Sequence, residues 1–234
     1  MLSEIKTAVN GSLDRIQSHP FIEDAHSQSL TKQQATRWIL CAGRESRSFP
    51  LILKNLIRDT KDPLVKQILQ ENLADEYGNG DPKEVHFHHY LHLLDELQIP
   101  RSLFDVYEED AGINFALQLA YNVSLCKNRA IAFGYMLVNE GMTQITYSAA
   151  RTAFEKYFPD MHTPFFDIHI EVDAHHVDEL YRALAAFNQN ELKDIKFGVS
   201  IGERGMATLL DEAYGVFDHC DKQPKYPKVT SIAA

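Results

Sequence analysis

Cysteine is scarce in this chain of 234 residues: Cys41, Cys126 and Cys220 are far apart and odd in number. That argues against a disulfide scaffold and leaves no paired thiolates for a structural zinc site. Positive charge is also short, with Lys+Arg 23 against Asp+Glu 33 and a formal net charge of -10. Nucleic acid and anionic membrane both demand a basic footprint, so neither is expected as a partner. No apolar run approaches the ~20 residues of a membrane span; the longest, Ala130 to Val138, is about half of that. The opening MLSEIKTAVNGSLDRIQSHP lacks the basic start and apolar block of a secretory signal. A cytoplasmic protein with reduced thiols is expected. Alternating strand patterns, internal repeats, low-complexity tracts and linkers are missing too.

What the sequence does contain is helical periodicity almost throughout. The spacing predicts a helix over Leu2 to Gln17 and a short one after His19-Pro20. Thr31-Lys32-Gln33-Gln34 reads as a capping box opening a long helix to about Arg58, with Pro50 inside it as an expected kink. Lys61-Asp62-Pro63 opens the next, which must stop at Gly78-Asn79-Gly80-Asp81-Pro82. Pro82 suits the first turn of a helix to about Leu97. Further helices are expected over Ser102 to Asp110, Ile113 to Glu140 with continuation or restart to Phe158, Pro164 to Phe187, and Glu191 to His219. The fold class is therefore all-α, with about seven to nine helices in one domain over 1–220. The residues 221–234, with two prolines and no apolar period, are expected to form a frayed tail.

Histidine is the unusual count, at 11, and seven fall within His86 to His92 and His169 to His176. His169, Asp173 and His176 stand at i, i+4 and i+7, within a sector of roughly 60° on one helix face, while His175 is rotated off it. Two imidazoles and a carboxylate on one face suit a first-row transition metal; a polar solvent-facing stripe would share the spacing. His86 falls on the packed side of its helix with Tyr90, Leu93, Leu94 and Leu97. His88 and His92 fall on the wet side with Asp95, and His89 at the margin. A histidine on an apolar face serves as a hydrogen-bonded core residue or as a ligand. Glu140 ends the most apolar stretch, AIAFGYMLVNE, where an ionised carboxylate is costly unless paired or bound to a cation; escape to water beside Gly141 is the alternative. Glu76, in LADEYGNG, follows the apolar face of Val65, Ile68, Leu69 and Leu73; taken alone, Asp75 or a solvated turn would serve as well. Together Glu76, His86, Glu140, His169, Asp173 and His176 make a hard oxygen and nitrogen set. Such a set suits two iron or manganese ions with one carboxylate bridging, and redox chemistry with dioxygen.

Over roughly residues 10 to 190 the sequence resembles the heme-oxygenase-like diiron oxidases, and within them the CADD-like proteins; TenA proteins and the PQQ-synthesis oxidase are relatives in fold. The resemblance is carried by HPFIEDAHSQSLTKQQ, by SFP in the long helix, by NLADEYGNG followed by His86, by the apolar helix ending in Glu140, and by HIEVDAHH. It implies a heme-oxygenase-like helical bundle, two iron ions (or manganese, or a mixed pair) held by the six residues above, and a homodimer. The implied activity is oxidation of a small organic substrate with O2: an amino-acid-like or fatty-acid-like molecule, or a cofactor precursor. Arg44, Glu45 and Tyr147 are candidate cavity residues; Arg44 is placed either to anchor a substrate carboxylate or to pair with Glu45 or Asp173. Two departures stand out. Glu76 and His86 are ten residues apart where the family has about seven, which reads as a short insertion and makes Glu84 a rival for Glu76. Ile22 and Ala150 stand where CADD-like aminobenzoate synthases carry a self-consumed tyrosine and a lysine, so that self-sacrificing reaction is not expected. A metal-independent enzyme of the TenA or PQQ-synthesis type, a CADD-like protein-binding module, and an iron store are the competing readings.

Overall fold

The computed structural model describes residues 1–161 and 164–219, with the side chains of residues 172–174 and 219 outside that description. The proposed tail therefore lies outside the described residues, as does the side chain of the candidate ligand Asp173. Among the described residues there are ten α-helices and no strand: α1 Leu2–Gln17, α2 Pro20–His26, α3 Lys32–Asp59, α4 Pro63–Glu76, α5 His86–Glu96, α6 Arg101–Val106, α7 Ala111–Ser124, α8 Arg129–Glu155, α9 Pro164–Ala183 and α10 Leu192–Tyr214.

Local chemistry sets most boundaries. In α1 the buried residues Ile5, Val9, Ser12 and Ile16 recur at helical spacing, which fixes the face it presents inward. Thr31 accepts from the Gln34 backbone N–H and Gln34 returns a side-chain bond to the Thr31 backbone, so α3 opens on the expected capping box. Asp62 caps α4, with Pro63 in its first turn. Gly215, at φ 98°, closes α10 in the left-handed conformation that suits glycine.

Three expectations are corrected. The helix expected over 113–158 is two helices, because the chain breaks after Ser124 and Asn128 recaps α8 by accepting from Ala130 and Ile131; this accounts for the tenth helix. Pro82 lies in a turn, where the Asp81 side chain accepts from the Lys83 N–H, and α5 begins at His86. The helix expected over 102–110 ends at Val106. Pro50 sits within α3, which continues as one helix through it.

α8 is the centre of the bundle, packed by α9 and α10. Its approach to α10 is close enough that glycine is obligatory on both sides: a Cβ on Gly134 would stand 2.0 Å from the Ile195 carbonyl oxygen, and one on Gly198 2.1 Å from that of Ile131. α9 and α3 also pack on α8, α4 packs on α3 and α9, and α5 packs on α3, α4 and α9, which gathers the helices that carry the candidate site residues. No described helix is long and apolar enough to cross a membrane.

Candidate metal centre

The last turn of α4 supplies Asn72, Asp75 and Glu76, with Asn72 and Glu76 buried. The chain then reverses through Gly78 (φ 72°), Asn79 (φ 51°) and Gly80 (φ 93°). A Cβ on Gly78 would also stand 2.6 Å from the Glu84 carbonyl carbon, so glycine is required there on both counts. This reversal absorbs the ten-residue separation and returns His86, the first residue of α5, to Glu76: His86 Nδ1 is 3.0 Å from Glu76 Oε1. His169 of α9 completes the group. Glu76, His86 and His169 are all buried, and their donor atoms lie within 4.8 Å of one another. Donors on one ion at ~2.1 Å stand at most ~4.2 Å apart, so movements of about half an ångström bring this set onto a single cation.

His169 is held firmly. Its ring stacks on Tyr147 at 4.5 Å and 17°, and lies 4.4 Å from the Phe165 ring. Its Nδ1 is 2.7 Å from the Phe165 carbonyl oxygen, which can only accept, so Nδ1 carries the hydrogen and Nε2 is left with its lone pair. Burial pushes its pKa down to about 3, with the neighbouring His86 adding to the shift. A neutral imidazole with a fixed tautomer is what a metal site requires.

Glu140 and His176 gather one step away. Asn72 Nδ2 donates to Glu140 Oε1 at 2.7 Å and lies 3.3 Å from His176 Nδ1. Asp75 Oδ2 is 3.0 Å from His176 Nε2, and Glu140 Oε2 is 3.6 Å from His176 Nδ1. Glu140 is 3% exposed, so it does not escape to water. Asn72 Oδ1 is buried and finds no hydrogen-bond partner among the described residues. Glu140 stands at the Nδ1 side of His176 and Asp75 at the Nε2 side, so the donors a cation could share here are Glu140, His176 Nδ1 and the orphaned amide oxygen of Asn72, with Asp75 holding the far side of the ring. The Glu76, His86 and His169 group fits a metal of the iron or manganese class.

Of the sequence-derived candidates, Glu76, His86 and His169 stand together, and Glu140 and His176 stand together; His169 groups with the first set rather than with His176. His175 is exposed, as its rotation on the helix predicts. Glu84 is no rival, since it sits at the surface with its Oε2 3.3 Å from His89 Nε2. Asp75, weighed from sequence as an alternative to Glu76, instead meets His176, and Asn72 was not singled out from sequence. Asn72 could have been found, because it lies three residues after Leu69 and four before Glu76, on the inward face of α4.

A cavity of about 1110 Å³ opens onto Glu76, Glu140 and His169, and Arg44, Glu45 and Tyr147 line it too. Of the two ion-pair partners weighed from sequence, the Asp173 side chain lies outside the described residues, and Arg44 does not pair with Glu45. It donates to the Phe104 and Tyr107 carbonyls at 2.9 and 3.1 Å, lies 3.2 Å from Glu109 Oε1 and covers the Phe104 ring, tying the 101–109 segment to α3. Behind it Glu212 accepts from Tyr107 Oη and from the Asp110 and Ile113 backbone, which fixes the start of α7.

A family model described as iron-containing redox enzyme matches residues 45–201. A pyrroloquinoline-quinone synthase of Xanthomonas campestris is 30% identical over 87 residues, 37% of this chain, and the match spans only about a third (34%) of that relative's length. A 4-chloro-allylglycine synthase of Streptantibioticus cattleyicolor is 24% identical over 193 residues, covering 79% of this chain and 73% of that protein. Among solved structures, a Shewanella denitrificans domain with a heme oxygenase-like fold aligns with TM-score 0.76 at 17% identity, over 93% of this chain and 94% of the other. A CADD-like protein of Nostoc punctiforme aligns with TM-score 0.72 at 15% identity, over 92% and 97%.

Proposed function

Since the chain belongs to the family of iron-containing redox enzymes, we propose that it is a non-heme diiron oxidase or oxygenase that uses O2 on a small organic substrate held in the cavity. The observation that carries this reading is the buried Glu76, His86 and His169 cluster at the wall of a cavity large enough for such a substrate. Glu76, His86 and His169 would hold one ion, and His176 with Asp173 the other. Glu140 would bridge them, and Asn72 and Asp75 would orient Glu140 and His176. Iron bound there supplies dioxygen activation.

The chain's own part is positional. Tyr147 and Phe165 clamp the His169 ring, and the Phe165 carbonyl fixes its tautomer. Asn72 fixes the Glu140 carboxylate by donating to Oε1. Burial keeps His169 neutral, so protons do not compete with the metal for it near neutral pH. Tyr147 packs on Trp38 and Phe165, and the Tyr147 and Phe165 rings lie against His169, so aromatic surface replaces water around much of the imidazole.

Anaerobic loading with Fe2+ followed by metal analysis and O2 uptake tests the reading. Two irons per chain, removable by chelator, with O2 consumed on exposure, are the expected results. A protein that takes up no iron is a metal-independent enzyme or a binding module, and one that fills without consuming O2 is a store; either result overturns the proposal.

A further inference from the structure

We propose that Glu45 selects a substrate bearing an ammonium group, its carboxylate pairing with that group inside the cavity. The inference deepens the reading above by naming a substrate class and rests on the cavity being the substrate's.

Glu45 lines the same cavity as Glu76, Glu140 and His169, and it makes no hydrogen bond or ion pair with any described residue. Its acidic neighbours are otherwise engaged: Glu109 with Arg44 at 3.2 Å, Glu76 with His86 at 3.0 Å and Glu140 with Asn72 at 2.7 Å. Nor does a cation among the described residues neutralise it. Arg44 is spent on Glu109 and two carbonyls. Arg47 lies over the Phe104 ring and responds to Glu109 and Asp105, and Lys54 lies over the Tyr77 ring. The titratable groups that feel Glu45 are Cys41, one turn earlier on α3, and Tyr135 of α8; burial raises both, so both are neutral at physiological pH. The Glu45 carboxyl is accordingly raised to about 7, with burial as the sole cause.

A carboxylate left unpaired where burial limits its hydration is costly, and a cation on the ligand removes that cost. An alcohol of the same shape does not. The cavity therefore discriminates by charge: a neutral analogue leaves Glu45 unpaired or protonated, whereas an alkylammonium ion takes the ionised form.

Calorimetric titration of the full chain with n-hexylammonium chloride, and separately with 1-hexanol, tests this without recourse to iron or O2, so its failure is distinct from failure of the oxidase reading. The amine stays charged below pH ~10, so its binding follows ionisation of Glu45. Between pH 6 and 8 its affinity should rise about tenfold, with about half a proton released per molecule bound at pH 7, read from two buffers of different ionisation enthalpy. Hexanol affinity should be flat with pH. Glu45→Gln should abolish the pH dependence and weaken hexylammonium about tenfold or more while leaving hexanol unchanged; Glu45→Asp should retain the pH dependence. Equal binding of amine and alcohol, or no proton release from the unaltered chain at pH 7, overturns the proposal. So does a Glu45→Gln protein that keeps the pH dependence or loses an iron, since the latter would make Glu45 a metal ligand.

Discussion

Acidifying the metal-free protein from pH 7 to pH 5 acts on buried His169 and half-buried Glu45 in opposite directions. His169 titrates about 3 in the fold against an ordinary value of 6.5. In this window the unfolded chain takes up a proton that the folded one refuses. The stability His169 contributes is complete above about pH 6.5 and drains away as pH falls towards 3. At about 1.4 kcal/mol per pH unit below 6.5, the loss by pH 5 is about 2 kcal/mol. Glu45 titrates about 7 in the fold against 4.5. Here the folded chain binds the proton first, so stability is complete below pH 4.5 and is lost as pH rises through 7. Acidification to pH 5 returns up to about 2 kcal/mol, trimmed by water in the cavity. The two contributions nearly cancel in the unaltered chain and are separated by mutation. Relative to that chain, His169→Gln should gain about 2 kcal/mol between pH 7 and pH 5, and Glu45→Gln should lose about as much. In urea denaturation followed by circular dichroism, each corresponds to a midpoint displacement of about 1 M. Groups such as His19 and Glu212, whose shifts are common to all three proteins, drop out of the comparison. If both variants track the unaltered chain across the pH range, neither group is desolvated as the packing requires, and the reasoning fails.

Other substitutions read other parts of the argument. His176→Ala should weaken iron binding at one site by about 10–100-fold in an equilibrium titration, whereas exposed His175→Ala should leave it unchanged; equal losses would refute the helix-face assignment. Asn72→Leu removes the donor to Glu140 and should produce a similar 10–100-fold weakening, with far-ultraviolet dichroism unchanged. Gly198→Ala forces a Cβ to within 2.1 Å of the Ile131 carbonyl and should destabilise by about 1–3 kcal/mol, lowering Tm by several degrees.

Much of this architecture is legible in the amino acids. Capping residues and apolar spacing place most helices to within a residue or two, because those signals are local: Thr31 with Gln34, Asp62 with Pro63, and the inward spacing of α1. The break between α7 and α8 is harder to see. Asn128 is an ordinary residue until the chain turns and its side chain caps two backbone N–H groups. Pro82 is ambiguous for a related reason, since proline serves the first turn of a helix and a tight turn equally well; the Asp81 side chain selects the turn. The described partners of Arg44, the Phe104 and Tyr107 carbonyls and Glu109, were not legible because they lie some sixty residues away and are joined to it only by tertiary packing.

The division of the ligands follows from a distinction that spacing alone obscures. A helical wheel gives the face of a side chain but not its height, and seven residues at ~1.5 Å each separate His169 from His176 by ~10 Å along α9. Two residues on one stripe can therefore serve different ions. What assigns each is the neighbouring helix: Glu76, at the end of α4, stands with His169, while Asn72, one turn earlier, stands with His176. The pairings run in opposite senses along the two helices, as antiparallel neighbours require. Asp75 and Glu76, adjacent in sequence and so at nearly one height, reach separate histidines because they point about 100° apart around α4. The sharp reversal at Gly78 to Gly80 then brings His86 to the lower level only. An ion at that level meets two imidazoles and a carboxylate, whereas one at the upper level meets a single described imidazole in a more acidic setting. On the proposed diiron reading the two positions would be chemically unequal, and iron should fill the His-rich lower one first. Substoichiometric loading of His169→Gln and His176→Ala tests the order: the first variant should lose the tighter ion, the second the weaker.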